Sequence, residues 1–290
     1  MYKKMKEKTD ITIVTAFFDI GRGEIKKEES KNLKRSPEIY FSYFNFLAEL
    51  DNDMIIFTEE KYKEKIQKMR KNKKTKIITF DLNKKFSKII KKIREIQENS
   101  EFRKRINPDE IHNLEYWLPE YVLINNLKAY LIKTAIIKKL IKTELVAWVD
   151  FGYIRNRETL NNVKKWEYNF DKEKIHFFNI FTKRKLNKKL KKKEDMYNFI
   201  FNNDTIIIGG VIVGATNKWN EFYKKLRKAQ NELLIENIVD DDQGVYIKTY
   251  FENKKMFKLN YLGKGEWFSL FKKYDKTSKI QKIRRLVGLK

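Results

Sequence analysis

The acid best placed for chemistry in this sequence is Asp150, which directly follows the apolar run Leu145 to Val149. A short apolar run after a long helical pattern predicts a buried strand, so Asp150 is expected at the carboxyl end of that strand. Ligands bind at this end of the strands in open α/β sheets. A carboxylate there can hold a divalent cation, and Gly152 would let a ligand approach the backbone closely. The alternative is an acid that only caps the turn after the strand.

A second group of acids lies late in the chain, at Asp240, Asp241 and Asp242, and Gln243 follows it. Three adjacent carboxylates repel one another, so a cation or the N-terminus of a helix is expected to relieve the repulsion. Two interpretations stay open. The acids either form part of a binding site, or one of them caps a helix.

The first predicted strand, Ile11 to Phe18, ends in a loop that could bind phosphate. Glycines flank Arg22 in this loop and permit positive φ, and a guanidinium group pairs well with phosphate. Arg35 precedes a helix predicted from Ser36 to Leu50 and could reach back to the loop. The glycine spacing differs from the dinucleotide-binding fingerprint, so a plain turn and a surface arginine are the alternatives.

Lys128 lies on the predicted helix that leads toward the Asp150 strand. This helix begins at Pro119 and carries Leu123 and Leu127 on its apolar face. Lys128 and Asn126 lie about 100° to either side of that face, so either side chain could border a cleft. A solvent-exposed flank of the helix is the alternative.

Strands alternate with helical segments along the chain, which predicts an α/β protein with a mostly parallel sheet and right-handed crossovers. The remaining predicted strands are Asp53 to Glu60, Lys76 to Phe80, Ile175 to Phe181 and Asp204 to Gly214. The double glycine at 209–210 predicts a bulge, or a place where a ligand meets the backbone. No repeat or linker divides the chain, so residues 1–290 are interpreted as one domain with a basic leader (1–10) and a basic tail (271–290).

The chain carries a formal charge of +26, and its densest basic run is Lys183 to Lys193. Neutralisation of phosphates by such residues drives nucleic-acid binding. Lysine is abundant throughout the chain, however, and base recognition depends more on arginine. Nucleic acid is therefore not expected as the principal partner, and the run is interpreted as a solvated face. A non-catalytic protein that binds nucleic acid or another polyanion is kept as the alternative function.

Several chemistries and locations are excluded by what the sequence lacks. Without cysteine, the chain can form neither disulfides nor zinc-thiolate sites, and it cannot use thiol catalysis. No apolar run reaches the length needed to span a bilayer, and the first residues lack the apolar region of a signal peptide. A cytoplasmic protein is therefore expected.

The end of the chain has an amphipathic pattern, because apolar residues recur at helical spacing between Ile280 and Val287 among lysines and arginines. This pattern predicts a short basic helix. Such a helix either lies on an anionic membrane surface, which would place the protein at the inner face of the cell membrane, or docks on the protein's own core.

Five short motifs, taken in order, resemble those of a known bacterial family. They are Thr15 to Arg22, Arg35-Ser36 with Tyr40, Trp148 to Tyr153, Gly209-Gly210 with Gly214, and Asp241 to Tyr246. The series extends from about Ile11 to Phe268 and is similar to the HtrL/YibB family. Its members are often encoded in lipopolysaccharide or capsule loci and are regarded as glycosyltransferases with a GT-A-like fold.

The resemblance implies an enzyme that moves a sugar from a nucleotide-diphosphate-sugar donor to a lipopolysaccharide, capsule or other surface-glycan precursor, which can be lipid-linked. It also implies a manganese or magnesium ion at a DxD-like motif. Gly152 stands where the second acid is usual. Either Asp150 is therefore the single carboxylate that holds the metal, together with the diphosphate and water, or the donor binds without a metal and Asp150 contacts the ribose. Asp242 is expected to act as general base if the reaction inverts the anomeric carbon, with Asp241 and Gln243 at the sugar or the acceptor.

The same resemblance places the donor against the first strand and the Asp150 loop. The residues expected to contact it are Thr15, Ala16, Phe17, Arg22, Arg35, Lys128, Asp150 and Gly152. Arg155 is a further candidate to share the charge of the diphosphate.

Overall fold

A sheet of seven strands organises the computed structural model, which describes residues 10–26 and 33–275. The strands are β1 (Ile11–Phe17), β2 (Met54–Thr58), β3 (Thr75–Thr79), β4 (Leu145–Val149), β5 (Ile175–Asn179), β6 (Ile207–Ala215) and β7 (Phe257–Tyr261). Their order is β3-β2-β1-β4-β6-β5-β7, and within the described residues only β6 runs against the others. The predicted α/β fold with a mostly parallel sheet is confirmed.

Helices cover both faces of the sheet. They are α1 (Pro37–Ala48), α2 (Lys63–Met69), α3 (Leu82–Glu98), α4 (Ser100–Arg105), α5 (Pro119–Asn126), α6 (Lys128–Ile137), α7 (Arg157–Leu160), α8 (Lys183–Lys189), α9 (Asp195–Phe201), α10 (Trp219–Ile235), α11 (Asp242–Glu252) and α12 (Leu270–Lys273).

Two hydrophobic cores, one on each face, hold the helices against the sheet. Successive residues of a strand point to opposite faces. In β1, Ile13 therefore joins the core that contains Phe44 of α1, whereas Val14 joins the core that contains Leu131 of α6. All four side chains are fully buried, and burial of such a side chain contributes roughly 1.5–3 kcal/mol to the free energy of unfolding.

The carboxyl ends of β1 and β4 lie side by side, because the two strands are parallel and Val14 is opposite Trp148. The chain leaves β1 toward β2 on one side, whereas β4 lies on the other side of β1. Such a reversal of strand order opens a crevice that binds ligands in α/β proteins. β6 begins at the same edge, because it is antiparallel to β4 with Val149 opposite Val211. Residues from all three strands therefore meet at one crevice.

The double glycine of β6 lies where its pairing with β5 is irregular. Phe177 pairs with Ile212, but the next residue, Phe178, pairs with Ile208, so β6 holds the additional residues 209–211 at this point. The predicted bulge is confirmed. Only glycine fits at Gly209, because a Cβ there would lie 2.0 Å from the Oδ2 atom of Asp242.

The helix predicted to begin at Pro119 is divided into α5 and α6 at Leu127. Near the division, the Nδ2 atom of Asn126 donates a hydrogen bond to the carbonyl of Val122, and such side-chain bonds compete with the backbone bonds of a helix. The sequence pattern did not reveal this break, since the apolar spacing continues across it.

The sequence analysis did not predict β7, an edge strand whose exposed Lys258 and Tyr261 weaken the apolar signal of a strand. The lysines of the 183–193 run are exposed, so the predicted solvated face is confirmed.

The amphipathic helix predicted between residues 280 and 287 lies outside the described residues. No helix in the described part of the chain combines the length and apolar character needed to cross a bilayer.

Candidate active site

A cavity of about 490 Å³ opens at the carboxyl ends of β1 and β4 and is closed on one side by the start of α11. This is the crevice where the strand order reverses. Ten of the residues that the sequence singled out line it: Ala16, Phe17, Arg22, Arg35, Lys128, Asp150, Gly152, Asp241, Asp242 and Gln243. The sheet therefore brings together residues from the beginning, middle and end of the chain.

Thr15 lies elsewhere. Its side chain is fully buried, it is not among the residues that line the cavity, and its Oγ1 atom has no hydrogen-bond partner in the described part of the chain. The position along β1 explains the difference, because Thr15 lies further from the carboxyl end of the strand than Ala16 and Phe17, which both line the cavity. The structure thus places Thr15 away from the proposed nucleotide site.

The ammonium group of Lys128 lies at the centre of the cavity wall. Its Nζ atom is 2.9 Å from Asp150 Oδ1, forms an ion pair with Asp242 Oδ2, and donates a hydrogen bond of 2.9 Å to the carbonyl of Gly209. The side chain is only 3% exposed, so the alternative of a solvent-exposed flank is wrong. Burial opposes the charge on Lys128, but the carboxylates of Asp150 and Asp242 outweigh burial and raise its pKa.

Asp150 has a second fixed contact, because Trp148 Nε1 donates a 2.6 Å hydrogen bond to its Oδ1 atom. Its backbone N–H donates to the carbonyl of Gly210, which joins the end of β4 to β6. The Asp150 side chain is nevertheless 39% exposed, far more than Asp242 at 2%. Asp150 is therefore more open to a ligand than Asp242, which also lines the cavity but is packed between Lys128 and Gly209.

The late acids begin helix α11. Asp241 is the N-cap residue and its Oδ1 atom accepts a 2.8 Å hydrogen bond from the backbone of Gln243, while Asp240 Oδ2 accepts one of 2.9 Å from Gly244. The interpretation that one acid caps a helix is thus confirmed for Asp241. It does not exclude a role in binding, since Asp241 and Gln243 also line the cavity. Gln243 Oε1 is buried and has no hydrogen-bond partner among the described residues.

The electrostatics of this acidic turn are unfavourable to negative charge. Burial is the largest cause that raises the pKa of Asp241 to about 7, and the nearby Glu115 carboxyl adds to it. Burial likewise raises the pKa of Asp242 to about 7, although Lys128 lowers it. Bound protons, or a positively charged or hydrogen-bond-donating ligand, would stabilise this turn.

Two arginines make another part of the cavity wall basic. Arg35 and Arg155 both line it, and neither forms an ion pair with a carboxylate in the described part of the chain. Arg155 lies over the ring of Tyr43, with 4.2 Å between its Cζ atom and the ring centroid. Burial, and next the positive charge of Arg35, lowers the pKa of Arg155. Two guanidinium groups close enough to repel each other form a site suited to an anion.

The guanidinium group of Arg22 already forms hydrogen bonds within the protein. It donates hydrogen bonds of 2.5 Å to Tyr40 Oη and 2.7 Å to the carbonyl of Leu33, and it lies over the ring of Tyr121. Its side chain is 7% exposed. Arg22 therefore fixes the loop after β1 against α1 and α5, and Arg35 and Arg155 are better placed than Arg22 to meet a phosphate.

Aromatic rings and Gly152 shape the entrance. Phe17 packs against Phe151 and Tyr40, with centroid distances of 5.1 and 5.4 Å. A Cβ on Gly152 would lie 3.3 Å from Tyr40 and 3.4 Å from Tyr43, so this glycine allows the backbone to approach the two tyrosines closely. Neither tyrosine was among the residues expected from the sequence to contact the donor.

The metal site expected at Asp150 stays a prediction. In residues 10–26 and 33–275, no group of three or more His, Cys, Asp or Glu side chains is arranged to hold a metal ion. Lys128 already supplies a positive charge where Asp150 and Asp242 converge. A divalent cation at Asp150 would therefore take most of its ligands from phosphate oxygens and water, as magnesium does at sites with one or two carboxylates.

Comparison with known proteins finds several that are similar to this chain. The crystal structure of mouse xyloside xylosyltransferase 1 in its apo form is similar with a TM-score of 0.41 and 11% identity, over 87% of this chain and 85% of that chain. Protein HtrL of Escherichia coli (strain K12) is 42% identical over 288 residues, which cover 98% of this chain and all of that relative. The family model HtrL_YibB, described as a bacterial protein of unknown function, matches residues 9–276. The chain therefore belongs to the HtrL_YibB family.

Proposed function

We propose that this protein is a glycosyltransferase that moves a sugar from a nucleoside-diphosphate sugar to a precursor of lipopolysaccharide, capsule or another surface glycan. The observation that carries the proposal is the division of charge within one cavity. Arg35 and Arg155 form a basic part of its lining, the arginine wall, and the carboxylates of Asp150, Asp241 and Asp242 form an acidic part, the acidic wall. A nucleotide sugar has the complementary division, since its diphosphate is anionic and its sugar offers hydroxyl donors.

The arginine wall suits the diphosphate. Guanidinium groups donate two parallel hydrogen bonds to phosphate oxygens, and these charge-assisted bonds are stronger than neutral ones. Ala16 and Phe17 lie at the end of β1, where the nucleoside would contact the aromatic entrance. Lys128 would act on the diphosphate at a distance by neutralising Asp150, which otherwise repels an anion.

The acidic wall suits the sugar and the acceptor. Gln243 Oε1 is an unused acceptor for a sugar hydroxyl, and Asp241 lies beside it. Asp242 is the proposed general base: its carboxylate takes the proton of the acceptor hydroxyl as that oxygen attacks the anomeric carbon. The bond between this carbon and the diphosphate oxygen breaks, and the nucleoside diphosphate leaves with the electron pair. A base with a pKa near neutrality suits this task, and this role applies to an inverting reaction.

A manganese or magnesium ion is the proposed cofactor. Asp150 would hold it, and the ion would supply additional positive charge to the leaving diphosphate. The calorimetry described below, run with and without manganese, measures whether the donor nucleotide needs the cation.

Titration calorimetry of the full chain with UDP, GDP and CMP, each with and without manganese, tests the proposal. We expect one nucleotide to bind clearly more tightly than the others, since a shaped cavity discriminates between bases. Hydrolysis of the corresponding nucleotide sugar in the absence of acceptor would then identify the donor. Failure of all three nucleotides to bind under both conditions would refute the function proposed here.

A further inference from the structure

A second cavity, of about 520 Å³, lies beside the edge strand β7. Its lining includes three buried apolar or aromatic residues, Leu190, Tyr250 and Phe257. The residues that line it come from β5, β7, α8, α11 and the short turns that follow α8 and α11. Cavities of this volume accommodate small molecules.

The charged residues that line this cavity are all positive. Lys183, Lys254 and Lys258 line it from three different elements, and no carboxylate is among the lining residues. Lysines on edge strands also prevent unwanted pairing with another chain, and this explains Lys258 on β7. It does not explain Lys183 or Lys254, which lie on α8 and on the turn before β7.

A buried amide gives the cavity an unused polar group. Asn179, at the end of β5, is 2% exposed and lines the cavity. Its Nδ2 atom donates a hydrogen bond to the carbonyl of Phe181, which orients the amide. Its Oδ1 atom has no hydrogen-bond partner in the described part of the chain. An unpaired buried acceptor is costly, so a hydroxyl donor supplied by a ligand would satisfy it.

We propose that this cavity binds a sugar that carries a phosphate or a carboxylate group. The lysines would pair with the anionic group, Asn179 Oδ1 would accept from a sugar hydroxyl, and the apolar face of the sugar ring would pack on Tyr250 and on Tyr261, which is 39% exposed. A free phosphate would use only the lysines. A neutral sugar would use only the amide and the rings.

This proposal rests on the proposed function for its biological meaning, because such a sugar would belong to the glycan acceptor. Helix α11 joins the two sites: Asp242 begins it at the first cavity, and Tyr250 lies in its last turns at the second. These two residues are eight positions apart, or about 12 Å along a helix. The anionic sugar would therefore be bound away from the acceptor hydroxyl that reacts.

Saturation-transfer NMR on the full chain with glucose 6-phosphate, glucose and inorganic phosphate tests this site. We expect glucose 6-phosphate to bind more tightly than either of the other two probes. The Lys254→Gln/Lys258→Gln variant should weaken its binding about ten-fold or more, since both lysines are exposed and their loss leaves the fold intact. The control is Lys224→Gln/Lys225→Gln, which removes the same charge from the exposed side of α10 and should leave the affinity unchanged.

Three outcomes would overturn the proposal: no binding of glucose 6-phosphate, equal binding of inorganic phosphate, or an equal loss in both double variants. A single-stranded oligonucleotide added as competitor provides another check. Its effect is compared with that of an excess of glucose 6-phosphate used as the competitor on the wild type. If the oligonucleotide displaces bound glucose 6-phosphate more effectively, the site binds a polyanion instead. Binding of UDP, GDP and CMP is measured on the same samples. A nucleotide bound without glucose 6-phosphate refutes only this site, and glucose 6-phosphate bound without any of the three nucleotides refutes only the proposed function.

Discussion

The Nζ atom of Lys128 lies 2.9 Å from the Oδ1 atom of Asp150, and both residues stand at the cavity where β1 and β4 end. The same ammonium group forms an ion pair with Asp242 at the start of α11. One buried lysine thus connects the acid that follows the central strand with the acid proposed as general base. Lys128 contributes one contact to each acid, and replacing it measures how much these contacts stabilise the fold.

Lys128→Met should destabilise the protein by about 3–5 kcal/mol, since removal of one partner leaves Asp242 buried without its counter-charge. The free energy of unfolding in urea measures the effect. Lys138→Met, at an exposed position just after the same helix, is the control and should change stability by less than about 0.5 kcal/mol.

The double variant Lys128→Met/Asp242→Asn separates an ion pair from simple packing. If the pair matters, Asp242→Asn should be less harmful in the Lys128→Met background than in the wild type, because the unpaired charge is removed. Additive losses of stability in the two variants would contradict the role given to Lys128.

Gly209→Ala should displace Asp242 and should abolish turnover of the donor sugar. A Cβ at this position would lie 2.0 Å from Asp242 Oδ2, and overpacking of this kind typically costs about 1–3 kcal/mol. The unfolding free energy and nucleotide-sugar hydrolysis should be measured on the same protein. The matched test places Gly209→Ala in an Asp242→Ala background, where the overlap no longer exists and the substitution should cost less. An equal cost in both backgrounds would show that Gly209 does not position Asp242.

The end of β4 was predictable from the sequence, and the surroundings of Lys128 were not. An unbroken apolar run fixes where a buried strand ends, so the place of Asp150 follows from local residue types. A helical pattern shows on which side of a helix Lys128 lies, but not that carboxylates from β4 and α11 meet it there. That information depends on the antiparallel strand β6, which brings Gly209 and α11 to the cavity.

The roles of the arginines likewise depend on packing between segments that the local sequence does not reveal. Arg22 was selected because glycines flank it in a loop after a strand, and it does line the cavity. Its hydrogen bonds to Tyr40 and to the Leu33 carbonyl come from segments whose packing no local pattern encodes. Arg155 belongs to no motif, and only its closeness to Asp150 in the sequence made it a candidate. Its place beside Arg35 appears only when α1 packs against the Asp150 loop.

Replacement of the basic wall should weaken binding of the nucleotide that calorimetry identifies. Arg35→Gln and Arg155→Gln should each reduce affinity about 10- to 100-fold, the range expected for hydrogen bonds to a charged group. Arg157→Gln is the control, because this exposed arginine pairs with Glu49 and does not line the cavity. Nucleotide affinity that is the same in all three variants would exclude this wall as the diphosphate site.

The buried carboxyl of Glu115 should make the stability of the protein depend on pH. Burial is the main cause that raises the pKa of this carboxyl to about 7 from its ordinary value of 4.5, and Glu110 raises it further while Arg22 opposes the rise. The folded protein therefore holds a proton that the unfolded chain releases at lower pH. Stability should fall as the pH rises from about 4.5 to about 7, and the loss is complete above that range.

Glu115→Gln keeps the shape of the protonated side chain and cannot ionise. It should therefore match the wild type within about 1 kcal/mol near pH 5 and exceed its stability by about 3 kcal/mol near pH 8, the value of a shift of this size. Urea unfolding at the two pH values measures both differences. Glu98→Gln, an exposed acid of α3, should follow the wild-type pH dependence. If the wild type and Glu115→Gln differ by the same amount at both pH values, Glu115 is ionised throughout in the folded protein and its carboxylate has a partner that stabilises the charge.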